Sequence, residues 1–207
     1  MESKPSTIKL LSKPAPEIAE FLGSVYERSA WVAEKLTSMP ECFASIITVT
    51  QLAAVMKAIV DESSRATKLE LLCAHPDLCE KVGKMNDLTR ESQEEQSRSG
   101  LQTLTSEELA QFTNSNTDYR ERFGFPFILA VRNASKYTVL AALRGRVKNA
   151  MEVEFATAMQ QVHKIAWMRL LAILDTTDAK GFLTSHVLDT ANGCPGKIIK
   201  CFGLFDI

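Results

Sequence analysis

The stretch MEVEFATAMQQVHKIAWMRLLAIL, residues 151–174, decides the fold. At about 100° per residue, Phe155, Val162, Ala166 and Ile173 gather on one side, so the spacing predicts one long helix with a core-facing stripe. Arg169 falls in the middle of that stripe, four residues after Ile165 and four before Ile173. A guanidinium there needs an ion-pair partner or a ligand, because burying it alone costs several kcal/mol. His163 lies at the edge of the stripe.

The same period recurs towards the N-terminus. From Pro16 it runs through Ile18, Phe21, Leu22, Val25 and Tyr26, and then through Trp31, Val32 and Leu36. Thr48 to Ile59 is apolar and alanine-rich, and Leu69, Leu71, Leu72 and Cys73 carry a further helix up to His75-Pro76. Proline disfavours helical geometry at the residue before it, so His75 is expected at a helix end, where a ligand can reach it. After a polar connector (Gly83 to Thr89), Ser92-x-x-Glu95 has capping-box spacing. Thr105-Ser106-Glu107-Glu108 opens another helix that ends near Phe123, with Gly124 as the stop. Glycine and proline interrupt Phe123-Gly124-Phe125-Pro126-Phe127-Ile128, which reads as a buried extended segment. Ser135 can cap a helix from Lys136 to about Lys148. The expectation is an all-α bundle of about seven or eight helices over residues 15–175. Residues 1–14, with prolines at 4 and 14, read as a loose arm, and residues 176–207 as a short irregular tail.

The chain has 207 residues, enough for one domain plus extras, and a formal net charge of −1, which points away from nucleic acid and anionic membrane surfaces. The first residues lack the continuous apolar region of a secretory signal, and no run of 18 apolar residues spans a bilayer. Cys42, Cys73, Cys79, Cys194 and Cys201 have no CxxC spacing and read as reduced intracellular thiols. Phe205-Asp206-Ile207 is not a peroxisomal Ser-Lys-Leu address.

Within Cys73–Gln96 lie a histidine, carboxylates, a hydroxyl and an amide, in a chain with three histidines. Such a set could carry out proton transfer on a small polar substrate. Each member also has a plainer explanation. A helix-terminal histidine can be satisfied by its neighbours, a capping box accounts for Ser92 and Glu95, and Arg169 can form a structural ion pair. Nothing resembles a glycine-rich phosphate loop, a metal cluster or a Ser-His-Asp order, so neither metal nor organic cofactor is implied.

Taken together, His75-Pro76-Asp77-Leu78, Ser92-x-x-Glu95-Gln96, Gly100-Leu101 and Phe123-Gly124-Phe125-Pro126-Phe127-Ile128 resemble the OHCU (2-oxo-4-hydroxy-4-carboxy-5-ureidoimidazoline) decarboxylase family. The resemblance covers about residues 16–174, including Val25-Tyr26-Glu27 and Arg169-Leu170. It implies an all-helical homodimer that decarboxylates this intermediate of urate degradation to (S)-allantoin without cofactor or metal. By position, His75 would be the general acid/base, Glu95 its carboxylate partner and Arg169 a cation in the pocket. Pro76, Ser92, Gln93, Glu94 and Gln96, with the backbone of Phe127, Ile128, Leu129, Ala130 and Val131, would line the substrate site. Family context places such enzymes in peroxisomes or cytoplasm.

Leu183-Thr184-Ser185-His186-Val187-Leu188-Asp189-Thr190-Ala191-Asn192-Gly193-Cys194-Pro195-Gly196 resembles the opening of a transthyretin-like 5-hydroxyisourate hydrolase, which is found fused behind the decarboxylase in some organisms. Residues 176–207 lack that enzyme's further catalytic groups, so the tail reads as a truncated remnant without hydrolase activity. A competing function for the whole chain is a non-catalytic helical interaction module of the same fold, acting with a full-length hydrolase partner.

Overall fold

A computed structural model describes residues 4–78, 104–131 and 134–177, together with a short backbone pairing further on. Among the described residues the α-helices are α1 (Thr7–Leu11), α2 (Ala15–Leu22), α3 (Trp31–Thr37), α4 (Val49–Asp61), α5 (Arg65–Cys73), α6 (Ser106–Phe123), α7 (Lys136–Arg146) and α8 (Met151–Ile173). A 3-10 turn, Pro40–Ser45, joins α3 to α4. In the tail, Leu188 pairs with Pro195 and Asp189 with Cys194 in a two-residue antiparallel ladder.

The all-α expectation holds for the bundle. Helix α8 is its axis, because α4, α5 and α6 all pack on it, while α2 packs on α3, α3 on α4, and α6 on α7. The buried face of α8 is wider than the predicted stripe and includes Phe155, Ala158, Met159, Val162, Ile165, Ala166 and Leu170. Two ionisable residues, Glu154 and Arg169, also lie on that face, and both are paired.

Local signals explain the boundaries. Thr48 and Gln51 form a capping box on α4, and Thr105 and Glu108 form the predicted one on α6. Gly124 ends α6 with φ 75°, a left-handed conformation that residues with a Cβ disfavour. The following segment is extended and buried as expected, with Phe125 and Phe127 among the most enclosed side chains of the core. Tyr119 packs edge-on against Phe125 and Phe127 at 6.0 and 5.2 Å between ring centres, a favoured aromatic geometry.

The arm is a correction. Residues 7–11 form α1, capped by the Ser6 hydroxyl, and Leu10 and Leu11 are buried in the core. The Asp175 amide donates to the Pro5 carbonyl at 3.0 Å, which ties α1 to the end of α8. Burying two leucines outweighs the loosening effect of the flanking prolines, at roughly 1.5–3 kcal/mol per side chain. A second difference lies at α2, which stops at Leu22; Val25 and Tyr26 keep their core positions from the turns that follow.

Candidate active site

Helix α5 ends at Cys73, and Pro76 prevents its continuation, which leaves His75 at the terminus as the sequence predicts. The His75 side chain folds back along the last turn, and Nδ1–H donates to the Leu71 carbonyl at 2.9 Å. That bond fixes the neutral tautomer with its lone pair on Nε2. His75 is only 8% exposed. Burial pushes its pKa down from 6.5 to about 4, against the opposing pull of the Leu71 carbonyl and Glu27; the Arg169 charge adds to the lowering. The imidazole is therefore neutral at pH 7.

Asp77, two residues on, is buried and forms an ion pair with Arg120 of α6. This pair fastens the His75-Pro76-Asp77-Leu78 turn to the bundle. Pro76 itself is half-buried.

Arg169 is paired. Its Nη2 donates to Glu27 Oε2 at 2.8 Å and its Nη1 to the Ser24 carbonyl at 3.1 Å. Glu27 is 1% exposed and Arg169 6%, so the pair is desolvated and held by shape as well as charge. Glu27 sits in the turn between α2 and α3, directly before Arg28, whose φ of 45° is left-handed for a residue with a side chain. Strain of this kind persists only where the surroundings over-determine it, and it accumulates at functional sites. Glu27 and Arg169 both act electrostatically on His75, in opposite directions. Glu27 is the residue that sequence reasoning missed. The available signal was the unmet demand of Arg169 for a carboxylate.

The Phe127–Val131 segment is anchored by Arg146 and Gln161. Arg146 Nη1 donates to the Ile128 carbonyl at 2.7 Å, and the guanidinium lies 4.6 Å from the centre of the Phe127 ring. The Ala130 amide donates to Gln161 Oε1 at 3.1 Å. Arg146 is held in turn by Glu154, which is fully buried and accepts from Arg146 Nε and Nη2 at 2.8 and 2.6 Å, from Asn149 at 2.7 Å and from the Tyr119 hydroxyl. Phe127, Ile128, Ala130 and Val131 turn buried side chains inwards, while Leu129 is half-buried. Ser92, Gln93, Glu94, Glu95 and Gln96 lie outside the described residues. Among those described, no group of three or more His, Cys, Asp or Glu could hold a metal ion, and no helix is long and apolar enough to cross a membrane.

The fold is a helical bundle that buries a histidine, His75, and an ion pair, Arg169–Glu27. Residues 12–171 match the family described as OHCU decarboxylase, and the chain belongs to that family. It is 40% identical over 148 residues to 2-oxo-4-hydroxy-4-carboxy-5-ureidoimidazoline decarboxylase of Haloferax volcanii, covering 72% of this chain and 83% of that protein. The crystal structure of an (S)-allantoin synthase is similar at TM-score 0.72 and 57% identity, covering 92% of this chain; the chain spans 61% of that one. An OHCU decarboxylase crystallised in the presence of (S)-allantoin shares the fold, at TM-score 0.57 and 22% identity over 73% of this chain and 96% of that one.

Proposed function

We propose that the chain decarboxylates 2-oxo-4-hydroxy-4-carboxy-5-ureidoimidazoline to (S)-allantoin and CO2, with no cofactor. The observation that carries this reading is the fixed tautomer of the buried His75, in a chain of this family. Loss of CO2 leaves an electron pair on the ring carbon, which the adjacent C=N delocalises, and a proton must then arrive on one face. His75 takes up a proton from water on Nε2 as the anionic substrate binds, and delivers it to that face. The incoming substrate carboxylate raises the imidazole's affinity for a proton, and the imidazolium so formed is a strong acid in its buried setting.

Glu95 orients or charges His75 from the segment that also carries Ser92, Gln93, Glu94 and Gln96. Pro76 and the Phe127–Val131 backbone complete the substrate walls. Arg169 is the cationic group of the site, and Glu27 shapes its role. A bare cation clamped on the departing carboxylate would favour the ground state and oppose its loss. Paired with Glu27, Arg169 instead offers a muted charge and fixed N–H groups to the hydroxyl or ureido end. Residues 15–175 are the decarboxylase domain, which works as a homodimer in peroxisome or cytoplasm. Residues 183–196 resemble the opening of a hydrolase-like segment.

The test is circular dichroism in the allantoin bands, with substrate generated in situ from urate by urate oxidase and a separate hydrolase. Wild type is expected to give rapid one-handed growth, and His75→Asn only the slow racemic background. No acceleration by folded wild type would overturn the enzyme and leave the interaction module.

A further inference from the structure

A cavity of about 290 Å³ opens between α4 and α8. The hollow is half-open to the surface, and its size has a cause in the sequence. Here the cause is small residues facing one another: Ala53 and Ala54 on α4, and Ala166 on α8. Neither His75, Glu27 nor Arg169 lines it.

One wall is a saturated hydrogen-bond chain. The Tyr26 hydroxyl donates to His163 Nδ1 at 3.0 Å, and His163 Nε2–H donates to Asp61 Oδ1 at 3.0 Å. Both bonds are made at once by neutral His163, the state that its burial favours. Lys57 closes the chain by pairing with Asp61, and Lys68 donates to the Asp61 carbonyl at 2.6 Å. The charged groups facing His163 are thus Lys57, Lys68 and Asp61, two cations to one anion. With both histidine nitrogens engaged, this wall has no base to offer, and the cavity binds rather than catalyses.

The lining is mainly apolar, with a few polar groups left for an occupant. The Lys57 ammonium has three N–H groups, of which Asp61 takes one, and Thr50 and Trp167 bring a hydroxyl and an indole N–H to the lining. Met56 and Leu170 supply apolar surface, and the Trp167 ring a flat one. Apolar walls, one aromatic plate and a few polar groups are the composition of a small-molecule pocket. We propose that the α4–α8 cavity is a second ligand site, selective for a planar aromatic monoanion that lies against Trp167 and directs its acidic group to Lys57. Tyr26 and Leu170, both in the lining, are the chain neighbours of Glu27 and Arg169.

The experiment is isothermal titration calorimetry of the full chain with 2-naphthoate. Saturable binding of one molecule per chain is expected, with Kd below about 1 mM. Ala53→Phe should abolish it by filling the hollow, with a native far-ultraviolet spectrum and unchanged sedimentation. Where that variant does not fold, Ala54→Leu, at an exposed position of α4, takes its place. Lys57→Met should weaken binding about tenfold, as should replacing the probe by the neutral 2-naphthylmethanol. His75→Asn should bind as wild type, which separates this site from the reaction site. Absence of saturable heat, binding that survives the filled cavity, or binding that disappears with His75 would each overturn the proposal. A change of oligomeric state in Ala53→Phe would also overturn it and assign the hollow to a second copy of the chain.

Discussion

Arg169 on α8 and Glu27 in the turn after α2 meet at 2.8 Å with both side chains buried, across 142 residues of sequence. Removing either partner alone leaves a buried charge, a change that costs about 3–5 kcal/mol. Arg169→Leu is therefore expected to lower the urea midpoint sharply. The double variant Glu27→Leu/Arg169→Leu should recover much of that stability while remaining inactive. Equal midpoints for the single and double variants, measured by fluorescence in urea, would show that the pair is not coupled.

His75 sets a pH signature. Its native pKa, pushed down to about 4, lies below the unfolded value of 6.5, so between those limits the unfolded chain binds more protons. Its share of stability is thus fully present above about pH 6.5 and is lost as pH falls towards 4, amounting to about 3 kcal/mol over the whole window. His75→Asn should remove this part of the acid sensitivity. Urea midpoints at pH 7.5 and 5.0 are the check: the drop should be visibly smaller in the variant, and parallel drops would mean that His75 titrates normally in the fold.

These residues show what a linear reading can reach. Pro76 places His75 at a helix end by local sterics alone, so that position was legible. The periodicity of α8 put Arg169 on a buried face and thereby demanded a carboxylate, but it could not say which one. Glu27 answers from a turn whose path depends on a left-handed Arg28, and no local propensity favours that conformation. The capping box at Thr105 and the stop at Gly124 were readable because both act within one helical turn. Burial of α1 was not, because its leucines meet the core through contacts with the far end of the chain, such as the link from Asp175 to Pro5. Ser92 to Gln96 rest on pattern alone.

Gly124 isolates a backbone effect. A Cβ built there meets nothing within 4 Å, so only the φ of 75° opposes a side chain. Gly124→Ala should cost about 1–2 kcal/mol. Gly124→Asn should cost less, because asparagine tolerates the left-handed region. Thermal midpoints of the two variants provide the comparison, and a neutral alanine would mean that α6 can end in another way.

The Phe127–Val131 segment, the proposed substrate wall, depends on a knot around Glu154. Glu154 gathers Arg146, Asn149 and Tyr119, and Arg146 passes that order on to the Ile128 carbonyl. Burial holds the Tyr119 hydroxyl well above its usual pKa, so it stays a donor at any working pH. Tyr119→Phe keeps the ring stack and removes one charge-assisted bond, worth about 1.5–3 kcal/mol. Glu154→Gln keeps the shape but leaves the buried Arg146 charge without its carboxylate, a loss of about 3–5 kcal/mol. If the knot positions the wall, Tyr119→Phe should fold fully at 25 °C and still raise KM more than it lowers kcat, because a displaced backbone weakens substrate contact first. Steady-state rates on the folded variant decide the matter. Unchanged KM alongside the predicted loss of stability would confine the knot to a structural role.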